Sequence, residues 1–180
     1  MSTPPQKARI ATIWLDGCSG CHMSFLDIDH RLLEIADRID LVYGPLVDQK
    51  EFPENVDVTI VEGAVTNEED EHKIRLVRER SKLVVALGDC AVTGNVPSMR
   101  NSFSLDSLYS RAYVENVAEQ PAIPQEDVPP LLARTRPLHE VVSIDLYVPG
   151  CPPHPDHIFS VLGDLLDGRI PHLGTIVRFG

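Results

Sequence analysis

The sequence predicts an α/β fold, a doubly wound parallel sheet with one long irregular insertion near the C-terminal strand. Two observations support this fold class. Near-continuous apolar runs rich in β-branched residues recur along the chain, as expected for strands buried on both faces of a parallel sheet. Amphipathic segments with helical spacing separate these runs, which is typical of strands that alternate with covering helices. At 180 residues, of which 43% are hydrophobic, the chain is expected to form a single domain over 1–180.

The first half of the chain alternates between predicted strands and one helix. ARIATIWL at 8–15 is apolar in its interior and predicts the first strand. Apolar residues at helical spacing predict a helix over 24–37. A second strand is predicted at 39–43 and a third at 56–61, where Gly63 ends the apolar run.

Two helices and two further strands are predicted in the rest of the chain. Thr66 and Glu69 have the spacing of a capping box, and the acidic run EEDE complements a helix N-terminus. This helix should extend to about Arg80. The remaining elements are a fourth strand, a fifth strand and a final helix, at 82–87, 141–148 and 156–166.

Residues 93–139 interrupt this alternation. The stretch is rich in proline and has few periodic apolar positions, although 104–118 has helical character. Connections this long within a compact domain are usually functional or disordered. A solvated excursion and a partner-binding arm are both consistent with this composition, and the arm is favoured because loops on a rigid scaffold commonly carry recognition.

Charge and hydropathy exclude several classes of partner. With 16 basic and 27 acidic residues the net charge is −11, which disfavours binding to nucleic acid. The apolar runs, such as LVVAL, are far shorter than the ~20 residues of a membrane helix. The N-terminal residues MSTPPQKAR contain no twin-arginine or apolar export signal, so a cytoplasmic location is expected. Clustered thiols in that reducing compartment more often bind metal than form disulfides.

The four cysteines follow predicted strands. Cys18 and Cys21 form a C-x-x-C pair after the first strand, Cys90 ends LVVALGDC, and Cys151 lies in YVPGCPP. Because the carboxyl ends of parallel strands share one edge of the sheet, we expect these thiols to meet in one crevice. Four thiolates are the ligand set of an iron–sulfur cluster or of a structural zinc ion.

The residues around the thiols favour the cluster. Structural zinc sites typically use two short knuckles, whereas this chain has one. Glycines next to the cysteines would let backbone approach a bulky cluster, at Gly17, Gly20, Gly88 and Gly150. Three prolines would stiffen the last ligand loop and remove N–H donors there, namely Pro149, Pro152 and Pro153. A zinc ion would have no special need of these residues.

A flavin is not supported by the residues. Flavodoxin-like proteins, which share this predicted sheet, hold a flavin phosphate on the first strand-to-helix turn. Here that turn is DGCSGC, with Ser19 as its one hydroxyl and two thiols in place of a phosphate cradle. FMN could occupy the remaining groove, but no residue requires it. The sequence also contains no P-loop and no G-x-G-x-x-G after a strand.

Other polar residues fall near the same edge. The histidines at His22, His154 and His157 are expected to be surface or hydrogen-bonding residues, since four cysteines already complete a cluster. Three acidic residues share the edge, Asp16, Glu62 and Asp89. They could orient partner residues or assist proton movement, but turn and cap roles are equally consistent with their positions.

Four motifs together resemble a known family. CSGC, VEGA, ALGDCAVTGNVPSMRN and PGCPPHP are similar, in this order, to the small subunits of nickel–iron hydrogenases. The resemblance is greatest to the short subunit of the soluble, NAD-reducing bacterial enzymes. It implies that Cys18, Cys21, Cys90 and Cys151 ligate one 4Fe–4S cluster. No catalytic residue is expected on this chain.

The resemblance also implies partners. The nickel–iron site would lie in a separate large subunit, and diaphorase subunits would carry FMN, further iron–sulfur clusters and the NAD site. This chain would relay electrons between them. The homologous subunit of respiratory complex I is the nearest alternative, but it typically has adjacent cysteines where this chain has CSGC. A zinc-stabilised, flavodoxin-like binding module without a redox role is the third interpretation.

Overall fold

The computed structural model describes residues 7–171, which form a parallel sheet with helices on both faces. The strands are β1 (Ala8–Trp14), β2 (Ile39–Tyr43), β3 (Val56–Glu62), β4 (Val65–Asn67), β5 (Ser81–Leu87), β6 (Leu131–Arg136) and β7 (Leu146–Val148). The α-helices are α1 (Gly20–Leu26), α2 (Leu32–Ile35), α3 (Glu68–Arg80), α4 (Asp89–Thr93), α5 (Asn95–Ser98), α6 (Leu105–Ser110) and α7 (Pro155–Leu166). Short 3-10 segments lie at Asp29–Arg31, Met99–Ser102 and Leu138–Glu140, and a π-helical turn lies at Arg111–Glu115.

The main sheet confirms the predicted flavodoxin-like fold. Its five strands have the order β2-β1-β3-β5-β7, and every pair in it is parallel. The strand order reverses direction at β1, so the connections leave a crevice at the carboxyl ends of β1 and β3. Ligands of open α/β sheets bind at such a point.

Two apolar layers cover the sheet. On one face Ile13 and Val84 pack in a cluster with Ile74 and Val77 of α3. On the other face the strands pack against α7 through residues such as Ile158. This two-sided burial explains why β3 and β5 are nearly continuous apolar runs rather than alternating ones. No helix within residues 7–171 has the length and apolar composition needed to cross a membrane.

The predicted helix over 24–37 is broken. Helix α1 ends at Leu26, and the chain continues through a 3-10 turn into α2. Asp29 has a φ of 57°, a left-handed value that an α-helix does not tolerate. Of the apolar residues in this segment, Ile28 and Ile35 are buried against the sheet, whereas Leu26 and Leu33 are exposed.

The start of α3 differs from the predicted capping box. Asn67 is the N-cap, and its side chain accepts a hydrogen bond from Asp70 N at 2.8 Å. Thr66 lies one residue before this N-cap, and its backbone N–H and hydroxyl donate to the buried Asp70 carboxylate instead. Burial raises the pKa of Asp70, while the hydrogen bonds from Thr66 lower it. The predicted end of the helix at Arg80 is confirmed.

The stretch 93–139 contains more structure than the sequence predicted. Strand β6 returns to pair antiparallel with β4, in the register Val65↔Arg136. The predicted helical segment is confirmed by α6 and the π-turn. Residues 111–130 are exposed throughout, and the end of this segment is tied to the start of α3, where Glu68 N donates to Pro130 O at 3.1 Å.

The fifth strand is shorter than predicted. Of 141–148, the last three residues pair with β5 as strand β7. Asp145 lies beside β5, where its backbone N–H donates to Val84 O at 3.0 Å and its carboxylate accepts a hydrogen bond from Val84 N at 2.7 Å. The side chain of Asp145 therefore takes the place of one backbone acceptor just before β7 begins.

Candidate metal centre

Three loops bring the four cysteines to one cavity, as the sequence predicted. Cys18 and Cys21 lie where β1 leads into α1, Cys90 lies in α4 directly after β5, and Cys151 follows β7. The residues that border this cavity are Gly17, Cys18, Gly20, Cys21, Glu62, Gly63, Asp89, Cys90, Gly150, Cys151 and Pro152. Cys21 and Cys90 are half-buried, whereas Cys18 and Cys151 are exposed. The cavity is therefore closed towards the sheet and open on its outer side.

Glu62, at the end of β3, holds the C-x-x-C turn. The N-cap residue of α1, Ser19, has a φ of 69° and makes no side-chain capping bond. Instead the backbone N–H of His22 donates to Glu62 Oε2 at 2.6 Å. A buried carboxylate from another strand thus satisfies one free N–H in the first turn of α1. Cys21 lies in that same turn, so its position depends on Glu62.

Asp89 ties the other two ligand loops together. Its backbone N–H donates to Gly150 O at 2.9 Å, and its Oδ1 accepts from Gly150 N at 2.7 Å. Just before it, Gly88 N donates to Val148 O at 2.7 Å. These bonds extend the pairing of β5 with β7 as far as the ligands. Cys90 and Cys151 therefore face the cavity from two connected backbones.

The glycines leave space next to the sulfur atoms. A Cβ placed on Gly88 would lie 2.2 Å from the Sγ of Cys21, and one on Gly20 would lie 3.2 Å from the Sγ of Cys18. Gly88 also has a φ of 82°, a backbone angle that residues other than glycine rarely adopt. The predicted close approach of backbone to the site is therefore present at these two positions. Gly150, with a φ of 140°, is instead required because a Cβ would lie 2.6 Å from Cα of Pro153.

Burial and nearby charges favour the neutral form of two of the four thiols, Cys21 and Cys90. Burial is the main cause that raises the pKa of Cys21 far above its usual value, and Glu62 and the other three cysteines raise it further. Burial is also the main cause that raises the pKa of Cys90; Cys151 and Cys18 raise it further, whereas Asn95 lowers it. Bound cations would favour the thiolate form of both residues.

The arrangement fits a bulky group better than one ion. Within residues 7–171, no three side chains of His, Cys, Asp or Glu are grouped closely enough to hold a single metal ion. The four thiols instead border a common cavity and approach it from three loops. A 4Fe–4S cluster is held by four cysteine thiolates, each on a different iron. The donor set and the glycine-lined space fit such a group.

The histidines near the site have separate surroundings. The ring of His22 is mostly buried, stacks on Trp14 with centroids 5.6 Å apart, and has Nδ1 2.9 Å from Glu62 Oε2. His154 caps α7 by accepting a hydrogen bond from Asp156 N at 3.2 Å. His157 lies next to His154, with ring centroids 5.8 Å apart. None of the three borders the cavity.

Asn95 is a residue of the site that the sequence alone did not reveal. Its Nδ2 donates to the Sγ of Cys151 at 3.5 Å. The signal available in the sequence was the dipeptide Gly94–Asn95, which is typical of a turn and says nothing about its neighbours.

A family model and sequence relatives match this chain. Residues 18–165 match the family described as the 20 kDa subunit of NADH ubiquinone oxidoreductase. The HoxS subunit delta of NAD-reducing hydrogenase from Cupriavidus necator is 42% identical over 168 residues, which are 91% of this chain and 80% of that protein. A subunit of the F420-non-reducing vhu hydrogenase from Methanocaldococcus jannaschii is 41% identical over 169 residues, which are 93% of this chain and 59% of that protein. The chain thus spans less than two thirds of the archaeal relative.

A solved structure has the same fold over almost the whole chain. A chain in the crystal structure of an NAD+-reducing NiFe hydrogenase in its H2-reduced state superposes with a TM-score of 0.92 at 39% identity. The match covers 97% of this chain and 100% of that one.

Proposed function

The chain belongs to the family of the NADH ubiquinone oxidoreductase 20 kDa subunit and hydrogenase small subunits, and we propose that it transfers electrons within a hydrogenase. Specifically, it would be the small subunit of a cytoplasmic, NAD-reducing nickel–iron hydrogenase. Cys18, Cys21, Cys90 and Cys151 would hold one 4Fe–4S cluster. When bound, such a cluster accepts and donates one electron at a time.

The convergence of four thiols on one cavity carries this proposal. Each ligand loop is anchored by backbone or carboxylate groups that do not themselves bind metal. Glu62 fixes the turn that carries Cys21, and Asp89 fixes the loop of Cys151 relative to that of Cys90. A preorganised donor set of this kind lowers the ordering cost of holding a large group.

The exposed side of the cavity is a suitable surface for contact with another protein. Exposed apolar side chains lie at Trp14 and Met23, in β1 and α1, and at Val96, Met99 and Phe103, in the segment that follows α4. Exposed apolar patches on soluble domains commonly mark interaction sites. We propose that a large subunit with the nickel–iron site covers this face. The similarity to a HoxS subunit supports a further diaphorase module, which would carry FMN, iron–sulfur clusters and the NAD site.

The ligand assignment is tested by replacing each cysteine in turn with alanine in the purified complex. Every variant should lose its cluster or retain a damaged one, because residues 1–180 contain no fifth cysteine to replace a missing ligand. Iron analysis and electron paramagnetic resonance (EPR) under reduction measure the cluster, and hydrogen-dependent NAD reduction should stop. A variant with the full cluster signal and unchanged NAD reduction would show that its cysteine is not a ligand.

Two alternatives have distinct signatures. The match to the 20 kDa subunit family is equally consistent with a complex I-like, quinone-linked subunit. The proteins that co-purify with this chain distinguish the two, since a complex I-like subunit would be found with the subunits of a membrane arm. A zinc-stabilised module would be colourless, whereas an iron–sulfur protein is brown. Elemental analysis of the metals in the complex therefore separates the third interpretation from the first two.

The relay role is tested by removing the diaphorase subunits. Hydride transfer to NAD moves two electrons, so a flavin partner is needed beside a one-electron carrier. The remaining pair of this chain and its large subunit should still use hydrogen to reduce a one-electron dye, while NAD reduction should disappear. Retained NAD reduction by this pair would contradict the relay and indicate a nucleotide site on one of the two chains.

A further inference from the structure

The backbone of Asn95 is held in an unusual conformation next to the ligand loops. Its φ of 33° is a left-handed value, which costs energy for a residue other than glycine. Ser98 Oγ donates to the carbonyl oxygen of Asn95 at 2.7 Å. On the other side, Gly94 ends α4, the helix that contains Cys90. The backbone on both sides therefore fixes the direction of the Asn95 side chain.

That side chain faces one of the four ligands directly. Its Nδ2 donates to the Sγ of Cys151 at 3.5 Å. Asn95 also opposes the upward shift in the pKa of Cys90, which follows a different strand from Cys151. An amide NH2 group is a donor only, so this contact stabilises negative charge on the sulfur atom of Cys151.

We infer that Asn95 raises the reduction potential of the cluster by donating a hydrogen bond to the sulfur atom of Cys151, an inference that rests on the proposed function. Hydrogen bonds to ligand sulfurs stabilise negative charge. The reduced cluster has one more electron than the oxidised one, so the donors favour reduction. Asn95 is a positioning and tuning residue, since it acts through the ligands and does not bind iron.

The test measures the midpoint potential of three variants in the complex with its partner subunits. N95D keeps the shape of the side chain, but its carboxylate cannot donate a hydrogen bond at neutral pH and places a negative charge next to the ligand sulfur. N95A removes the amide and keeps the left-handed backbone strain, whereas N95G removes the amide and relieves that strain. EPR-monitored titration with dithionite and mediators gives the potential of each.

All three potentials should be lower than in the unchanged complex, with N95D lowest. We expect at least a tenfold change in the equilibrium constant for N95D, which is about 59 mV for a one-electron couple. N95A and N95G should agree with each other, because the amide and not the backbone strain sets the potential. A matched control is N101D, since the Asn101 side chain bonds to the backbone of Thr135 and, within residues 7–171, forms no hydrogen bond with a cysteine. Its potential should be unchanged.

The possible failures are distinguishable. Unchanged potentials in N95D and N95G would overturn the inference while leaving the cluster in place. Loss of the cluster from all three variants, with a loaded unchanged complex, would also overturn it, because Asn95 would then have a structural role. Absence of iron and of an EPR signal from the unchanged complex would instead overturn the proposed function itself.

Discussion

Carboxylates next to the cysteines hold the ligand loops in place. Glu62 is almost fully buried, and its Oε2 accepts a hydrogen bond from the backbone N–H of His22. Asp89 is paired in the same way with the backbone of Gly150. Glu62 is the last residue of β3, and Asp89 is the first residue of α4, two residues after the end of β5. The cap and turn roles considered for these acids in the sequence are therefore the roles that their contacts show.

Replacement of Gly88 by alanine should disrupt the site more than the fold. The new Cβ would lie 2.2 Å from the Sγ of Cys21, so the thiol would have to rotate away from the cavity. The φ of 82° adds strain, at a cost of about 1–3 kcal/mol. We expect G88A to lose most of its iron while the domain still folds. Iron analysis and circular dichroism of the complex measure these two effects.

Gly163 provides the matched control for this substitution. It lies inside α7, and a Cβ there would meet no atom within 4 Å. G163A should keep its iron and gain up to about 1 kcal/mol of stability, because alanine favours a helix over glycine. A G88A variant with as much iron as G163A would contradict the close packing of Gly88 on Cys21.

At the scale of elements, the buried strands were the most predictable part of the chain. Strands β1, β2, β3 and β5 lie within one residue of their predicted bounds, because continuous apolar runs reflect burial on both faces. The pairing of β4 with β6 was not predictable in this way. Val65 and Arg136 are 71 positions apart (136 − 65), and no local pattern specifies that they pair.

The site shows the same division between local and non-local information. The four cysteines were predictable because each follows a strand and all such strand ends meet at one edge. The anchoring of α1 was not predictable, because the backbone N–H of His22 in its first turn donates to Glu62, 40 residues away in sequence. The role of Asn95 was missed for a similar reason, as it contacts Cys151 across 56 residues.

At the scale of the whole molecule, the protein has a large negative charge but exposes apolar side chains near the cysteines. The net charge of −11 suits a soluble surface. Exposed apolar side chains nevertheless lie in α1 and in the segment after α4, at Met23, Val96 and Met99, and Cys18 and Cys151 are open to solvent. A cluster held there would face water and oxygen on that side. A partner that covers this face would remove both exposures at once.

We therefore expect an acidic substitution on this face to weaken assembly with the large subunit. Met99 is 70% exposed and directly follows α5, the helix that begins at Asn95. Leu33 is equally apolar and 76% exposed, but it lies in α2, which leads back to the start of β2 at the opposite edge of the sheet. M99D would place a charge in an apolar contact, at a cost typical of a buried unpaired charge. L33D would leave its charge in water.

The measurement is the amount of large subunit that co-purifies with each variant, together with the iron content of the complex. M99D should recover at least tenfold less partner and less iron, whereas L33D should match the unchanged chain. The chain expressed alone should be poorly soluble or poor in cluster, because nothing then covers the exposed thiol side. Two results would show that the ligand edge is not the interface: normal assembly of M99D, or a stable monomer of the isolated chain with a full cluster.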